Sequence, residues 1–269
     1  MNKRLVHEDE QTWYIVCLVT SILIYVSLII SIIGIVYIGI GLVAALVMHG
    51  LMVAGIRSSG VKLSERQFPQ IYERVQALCR EMGVVQVPDV YIIQSGGVLN
   101  AFATRFSGRN FVVLYSDIVE LIMQGDEEEL NFVIAHELAH IQRKHVSKFV
   151  LVFPAMWIPF IGKAYSRACE FTCDRIATAY TGNAEAAVHA LTILAAGKQL
   201  YRKVNINEFL DQSYQERGFF VAWYELISTH PPLPKRIGEV LHFHSNPQLF
   251  GYDSHTFEAR DTSGMTSQL

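Results

Sequence analysis

The pattern of hydrophobic positions divides the chain into a long uncharged N-terminal run and a longer amphipathic remainder. Residues 13–56 contain no Asp, Glu, Lys or Arg, and His49 is their only histidine. The run is about twice the ~20 apolar residues that one membrane-spanning helix needs, so it predicts two spans joined by a turn near residues 31–34. A cleaved signal peptide does not fit, because its apolar region is only ~7–15 residues long.

The remainder predicts several helices around a short β region. Apolar residues recur at three- and four-residue spacing from Ile71 to Met82, which indicates an amphipathic helix that ends at Gly83. Two β-branched and aromatic runs, residues 87–93 and 111–115, predict short strands. The polar residues 107–110 predict the turn that joins neighbouring strands. Further helices are predicted at residues 126–141, 163–180, 184–200, 207–216, 219–227 and 235–243.

The predicted helix at residues 126–141 carries the first chemical signal. Acidic residues fill its first turn, where the helix dipole favours them. His136 and His140 are four residues apart, so they lie on one face, one turn apart. Two imidazoles so placed can hold one zinc ion, and Glu137 can reach a metal-bound water. A chance occurrence of this short motif on an ordinary helix is the alternative.

The residues that follow the motif helix are basic and then apolar. Arg143, Lys144, His145 and Lys148 favour the helix C-terminus, and a solvated or membrane-facing surface is the simplest interpretation. His145 is five residues past His140, which points it away from the metal face, so we do not propose it as a ligand. Residues 149–162 are apolar but short for a span and contain two prolines. They predict an interfacial or buried segment beside the bilayer, and a third crossing is less favoured.

A catalytic zinc site needs a third protein ligand and an open position for water. Glu170 is the natural candidate, and Asp174, one turn further on, is placed to accept a hydrogen bond from a ligand histidine. On spacing alone, a charged surface face of paired side chains is about equally favoured. Thiolates of Cys169 and Cys173 are a third reading, which we rank below the glutamate because small buried cysteines are ordinary packing residues.

Basic residues flank the apolar run on both sides, which indicates that both flanks are cytoplasmic. Lys3 and Arg4 precede the run, and Arg57, Lys62 and Arg66 follow it. The domain after the run is therefore expected to face the cytoplasm, where four cysteines do not suggest a disulfide framework. A net charge of −3 gives no reason to expect nucleic-acid binding.

With these residues in place, the chain resembles the M48 family of integral-membrane zinc metallopeptidases, which includes the HtpX-like proteases and the CAAX prenyl proteases. The resemblance runs from about residue 63 to residue 237. Its motifs, in chain order, are Phe68-Pro69, Asn100-Ala101-Phe102-Ala103, the 111–115 strand, His136-Glu137-Leu138-Ala139-His140, Glu170 with Asp174, and His230-Pro231 with Arg236-Ile237. The segment after the motif helix is shorter than the paired spans that HtpX carries there.

The resemblance implies a role for each site residue. His136, His140 and Glu170 are implied as the ligands of one Zn²⁺ per chain, with Glu137 as the catalytic base. A substrate peptide is implied to lie extended against an edge strand near Asn100, Ala101, Phe102 and Ala103. His230 is implied as a donor to the developing oxyanion, with Arg236 supporting it. From the residues alone, His230 reads as a turn residue ahead of two prolines.

These observations together predict an α+β, mainly α, zincin-like metallopeptidase domain with a small β-sheet, tethered by an N-terminal transmembrane helical hairpin. The expected organisation is a cytoplasmic N-terminus (1–12), a hairpin (13–56), a metallopeptidase domain (57–244) and a polar, disordered tail (245–269). The expected function is zinc-dependent endopeptidase action on membrane or membrane-proximal polypeptides, by a zinc-activated water with a glutamate base. The expected location is a bacterial inner membrane, with the catalytic domain in the cytoplasm. The alternative is a zinc-binding membrane adaptor without hydrolytic activity.

Overall fold

The structure is a computed structural model that describes residues 2–94, 100–123, 125 and 127–252. Within these residues the chain forms twelve α-helices and one four-stranded sheet. The helices are α1 (Glu8–Ile30), α2 (Ile32–Ser59), α3 (Pro69–Met82), α4 (Ser116–Met123), α5 (Glu127–Gln142), α6 (His145–Leu151), α7 (Phe153–Met156), α8 (Ile161–Thr181), α9 (Ala184–Ala196), α10 (Ile206–Gln215), α11 (Phe219–Ile227) and α12 (Leu233–Ser245). The strands are β1 (Val61–Lys62), β2 (Asp89–Ile93), β3 (Ala101–Phe106) and β4 (Arg109–Tyr115). A mainly helical fold with a small sheet is thus confirmed.

The N-terminal run forms two long helices, α1 and α2, that turn back on each other. The break falls at Ser31, whose side chain accepts a hydrogen bond from the backbone N–H of Gly34 and so caps α2. Both helices are long and apolar enough to cross a membrane. Most of their apolar side chains are exposed, which water would oppose and lipid would favour.

The sheet has the order β1-β2-β4-β3, with β2 parallel to β4 and the other pairs antiparallel. β3 and β4 form a hairpin whose two turn residues, Ser107 and Gly108, both have positive φ angles. Such turns match the natural twist of paired strands. Among the described residues β3 pairs with β4 alone, so its second edge is free. The free edge is the feature that a substrate strand requires.

Helix α5 runs through the middle of the core and packs on both α8 and α9. Its buried face includes Ala135, Leu138 and Ala139, and the two alanines leave room for close approach of a neighbouring helix. Cys173 and Ala177 are the corresponding small buried residues on α8. Because the contact face of each helix is made of small residues, polar groups on the same faces come within bonding distance.

The C-terminal boundary differs from the prediction. Helix α12 continues through Ser245, and Pro247–Phe250 form a 3₁₀ turn. Phe250 is buried and packs edge-on against Phe243, with ring centroids 5.0 Å apart. Aromatic packing therefore orders a segment whose polar composition suggested disorder. Residues 253–269 of the predicted tail, like residues 95–99, lie outside the described residues.

Replacing Phe250 with Ala is expected to lower the free energy of unfolding by about 3 kcal/mol, because it removes a buried ring. The neighbouring variant Leu249→Ala is the control, since Leu249 is 65% exposed; its loss should stay within about 0.5 kcal/mol. Denaturant unfolding of both variants in detergent measures the difference. Equal losses would contradict the packed position of Phe250.

Candidate metal centre and active-site cleft

Helices α5 and α8 bring three donor side chains to one point. His136 and His140 lie one turn apart on α5, and Glu170 faces them from α8. Nε2 of His136 is 3.2 Å from Nε2 of His140. The two carboxylate oxygens of Glu170 are each 3.4 Å from one of these nitrogens. The three side chains therefore present two imidazoles and one carboxylate to a shared centre.

The spacing of these donors fits a tetrahedral metal ion. Zinc binds histidine nitrogen and carboxylate oxygen at about 2.0–2.2 Å, which places neighbouring ligand atoms about 3.3–3.6 Å apart in a tetrahedron. The separations in the structure are 3.2–3.4 Å. Two histidines with one glutamate are also a ligand set that zinc uses in metallopeptidases. The residues present therefore fit a zinc ion.

A buried ionic network holds the donors in position. Asp174 is fully buried, and its Oδ1 lies 2.9 Å from Nδ1 of His136. Arg236, on α12, donates two hydrogen bonds of 2.7 Å to Asp174. The same guanidinium places Nη1 3.2 Å from Glu170. Arg236 therefore ties α12 to both carboxylates of α8.

Burial and charge act against each other on these groups. Burial alone would raise the pKa of Glu170 and Asp174, but Arg236 and the histidines outweigh it and hold both pKa values below their usual range. Burial alone would lower the pKa of His136, but hydrogen bonds with Asp174 and Glu170 raise it to about 10. The surrounding carboxylates therefore favour positive charge at this position, whether it comes from a proton or from a metal ion.

A cleft of about 690 Å³ opens over the three donors. Glu137 lines it, as do residues 100–103 at the start of β3. His230, in the loop before α12, lies at the exposed side of the cleft, with Nε2 3.6 Å from Glu170. His49 of α2 also lines the cleft, and its Nε2 lies 3.1 Å from the hydroxyl of Thr104. The structure thus gathers residues from α2 of the hairpin, from the sheet, from helices α4, α5, α6, α8, α9 and α12, and from the loop before α12 around one opening.

The structure adds contacts for one predicted residue and departs from the expectation for another. Arg236 was expected to support His230; its guanidinium contacts Asp174 and Glu170, and Nε2 of His230 lies 3.6 Å from the same Glu170 carboxylate. His145 was expected on a solvated or membrane-facing surface, but it is fully buried, and its Nδ1 lies 3.0 Å from Nδ1 of His140. Sequence reasoning missed this position because α5 ends at Gln142 and a turn through Lys144, with φ 58°, redirects the chain before α6.

The two cysteines of α8 are poorly suited to bind a metal. Cys173 and Cys169 are fully buried, and burial raises the pKa of both thiols well above the ordinary value. A thiol with a raised pKa resists forming the thiolate that binds zinc. Groups containing these cysteines do occur near His145. The neutral thiols nevertheless favour a packing role over ligation.

The sequence profile of "Peptidase family M48" matches residues 65–158 and 147–243, which together include every residue of the donor set. The chain belongs to peptidase family M48. The match covers strands β2, β3 and β4, the motif helix, α8 and most of α12. The M48 assignment makes the chain a metallopeptidase by family, and the two apolar helices are consistent with a membrane protein.

The curated relatives include proteins named as HtpX homologues and one plastoglobule-localised metallopeptidase. A "Protease HtpX homolog" from Bacillus subtilis is 29% identical, with 71% of this chain and 74% of the relative covered. A second "Protease HtpX homolog", from Thermococcus sibiricus, is 27% identical over 65% of this chain and 74% of the relative. "Plastoglobule-localized metallopeptidase 48, chloroplastic" from Arabidopsis thaliana is 29% identical over 52% of this chain, but the match spans only 45% of its own length. No solved structure matches.

Replacing Arg236 with Gln is expected to destabilise the metal-free protein by about 3–5 kcal/mol, because two buried carboxylates lose their cation. Denaturant unfolding with a chelator present measures this loss. The control is Lys235→Gln, since Lys235 pairs with Glu225 at the exposed surface and should contribute at most about 1 kcal/mol.

The loss in Arg236→Gln should be present at neutral pH and shrink as the pH falls. The reason is that the lowered pKa values of Glu170 and Asp174 stabilise the fold only while both groups are ionised. Equal stabilities of the two variants at neutral pH would contradict the network.

Proposed function

We propose that this protein is a membrane-anchored zinc endopeptidase that cleaves membrane or membrane-proximal polypeptides. The observation that carries the proposal is the convergence of His136, His140 and Glu170 beneath a cleft that also contains Glu137 and a free strand edge. A zinc ion held there would polarise the peptide carbonyl and lower the pKa of water towards ~7. One ion per chain is sufficient for this chemistry.

Glu137 is the general base in this proposal. It follows His136 directly on α5, is buried, and lines the same cleft. The carboxylate takes the proton of the attacking water and later delivers a proton to the leaving amine. No covalent bond between enzyme and substrate is needed.

His230 and Arg236 have different parts in the proposal. His230 is the exposed group beside Glu170, so it is placed to donate a hydrogen bond to the oxygen on which negative charge develops. Arg236 is buried and bonded to Asp174, so it holds the ligands rather than touching substrate. Asp174 fixes the tautomer of His136 by accepting from its Nδ1.

The free edge of β3 is the proposed substrate-binding surface. The N–H of Tyr115 donates to the carbonyl of Asn100 at 3.1 Å, so Asn100 and Phe102 are the residues that bond to β4. The alternate residues, Ala101 and Ala103, direct their backbone groups to the free edge, where the N–H of Ala101 donates to Oδ1 of Asn100 at 2.9 Å. An extended peptide can therefore pair with these alanines and lie across the donors.

The packing of α1 on α8 supports a site at the membrane surface. The backbone N–H of His7 donates to Thr172 at 2.9 Å, and Cys17 contacts the carbonyl of Ile161 at 3.7 Å. The two helices therefore run side by side in opposite directions. Glu170 precedes Thr172 by two residues, which places the donors beside the start of the first predicted span.

In this proposal, the apolar segment 149–162 enters the bilayer alongside α1 and leaves it on the same side. Ser21 accepts a hydrogen bond from the backbone N–H of Ala155 at 3.3 Å. Ser21 is about 20 Å along α1 from Glu8 at 1.5 Å per residue, which is well within a bilayer core about 30 Å thick. The chain then turns into α8 on the side from which it entered, so this segment is re-entrant and does not cross.

The basic flanks of the hairpin support a cytoplasmic active site. Lys3 and Arg4 precede α1, and Arg57 lies in the last turn of α2. We accordingly propose a multi-pass protein of a bacterial inner membrane, with the 57–244 domain at its cytoplasmic face. The HtpX homologue of Bacillus subtilis is a bacterial relative of similar extent.

Glu137→Gln is expected to abolish cleavage and to leave zinc binding within about twofold of wild type, because the side chain is a base and not a ligand. The protein is purified in detergent, its zinc content is measured, and cleavage of casein or a membrane protein is followed. Glu128→Gln, an exposed change on the same helix, is the control and should cleave normally. Bound zinc without cleavage in the wild type would favour the adaptor alternative, and equal cleavage by Glu137→Gln would refute the mechanism.

Ala103→Pro is expected to raise KM for peptide substrates at least tenfold, because it removes an N–H from the free edge of β3. Proline is tolerated at an edge position whose N–H does not serve the sheet. Ala103→Val keeps the N–H and is the matched control. Steady-state cleavage of a fluorogenic peptide gives KM and kcat for each. An unchanged KM in the proline variant would show that the substrate does not pair with this strand.

A further inference from the structure

A buried carboxylate near the start of α1 has no role in the site described so far. Glu10 is 1% exposed, although it lies in the first turn of α1, just before the predicted membrane span begins. Its Oε1 lies 2.7 Å from Nη2 of Arg143 and 3.6 Å from Nζ of Lys148. Burying an ionised side chain costs several kcal/mol unless partners compensate it, so a buried carboxylate indicates a structural or functional role.

His145 connects this carboxylate to the donor set. The ring is fully buried, with Nε2 3.3 Å from Oε1 of Glu10 and Nδ1 3.0 Å from Nδ1 of His140. His140 presents Nε2 to the shared centre, so its proton belongs on Nδ1. Nδ1 of His145 is then the acceptor of that proton, and the remaining N–H, on Nε2, lies near the Glu10 carboxylate without forming a well-aligned hydrogen bond.

The two ligand histidines are therefore supported in parallel ways. Nδ1 of His136 meets the carboxylate of Asp174 directly. Nδ1 of His140 meets a carboxylate through one intervening ring. Ligand histidines in metal sites commonly donate their second N–H to a carboxylate, which fixes the tautomer and the ring orientation.

The start of α1 is held in place by contacts beyond Glu10. The ring of His7 stacks on Phe171, with centroids 5.0 Å apart, and its backbone bonds to Thr172. Phe171 follows Glu170 directly. The N-terminal helix is thus fixed next to the third donor as well as to His140.

We propose that Glu10 and His145 are positioning residues for the metal centre, so that the first helix of the membrane hairpin contributes to zinc binding. Glu10 orients His145, and His145 fixes the tautomer and orientation of His140. The inference rests on the proposed zinc site. It gives the hairpin a second role, since displacement of α1 would remove support from a ligand.

A second cation held by Glu10, His145 and Cys169 is the competing interpretation of this cluster. Arg143 and Lys148 already place positive charge on the same carboxylate, which opposes a further cation. The hydrogen-bonded connection to His140 explains the cluster with the groups present. Metal analysis distinguishes the two, because a second site would give two zinc ions per chain.

The test measures zinc affinity of the full chain in detergent by competition with a chelator. Glu10→Gln and His145→Leu are each expected to weaken zinc binding about 10–100-fold, with the metal-free protein still folded by circular dichroism. The control is Glu8→Gln, the same change at an exposed position of the same helix turn, which should bind as wild type. Glu10→Asp keeps the charge but shortens the side chain, which moves the carboxylate away from His145. It supplies a second variant if Glu10→Gln does not fold.

The double variant Glu10→Gln/His145→Leu decides whether Glu10 acts through His145. If it does, the double variant binds zinc no more weakly than His145→Leu alone; losses that multiply would overturn the proposed connection. Zinc affinity of Glu10→Gln or Glu10→Asp equal to wild type would also overturn it. His140→Ala separates this failure from failure of the proposed function. Undiminished zinc binding in that variant would show that zinc is not bound at the proposed site at all.

Discussion

The carboxylate of Asp174 is the group on which the arrangement of the site depends. It is fully buried and shared between His136 on α5 and Arg236 on α12. A buried carboxylate is tolerated only where opposite charge and hydrogen-bond donors surround it, so three helices must meet around it. The same guanidinium also reaches Glu170, and the positions of two donors and their support are therefore fixed by one set of contacts.

The charges of this network explain why the centre suits a cation. Two carboxylates face one guanidinium, so one negative charge remains to be balanced. In the metal-free protein the raised pKa of His136 lets a proton supply that balance. A divalent ion bound by the three donors would experience the same attraction.

The sequence indicated much of this site because its strongest signals are local. The four-residue spacings of His136 with His140, and of Glu170 with Asp174, place each pair on one helix face. The membrane hairpin could be read from the uncharged run, and strands β2 and β4 from their β-branched and aromatic residues. From the pattern alone, β3 was missed as a strand, because residues 101–106 alternate less clearly and border the polar turn. Contacts between distant segments carry no such periodicity, so the burial of Glu10 against His145 and the placement of Arg236 on Asp174 needed the fold. The packing of Phe250 was hidden for the same reason, since composition alone does not show which aromatic finds a partner.

The membrane helices and the cleft form one unit in this account. His49 of α2 bonds to β3 at the cleft wall, and α1 packs along α8 beside Glu170. In the proposed function, a polypeptide that emerges from the bilayer would reach the free edge of β3 directly. The hairpin would therefore anchor the domain and also position its site close to the membrane.

X-ray absorption at the zinc edge, on protein purified in detergent, tests the central claim most directly. The account predicts one zinc per chain whose first shell contains two imidazoles and a carboxylate, with all ligand atoms at about 2.0–2.2 Å. Sulfur scattering at about 2.3 Å would place the metal at Cys169 or Cys173 and contradict the account. So would a first shell that is unchanged in Glu170→Gln.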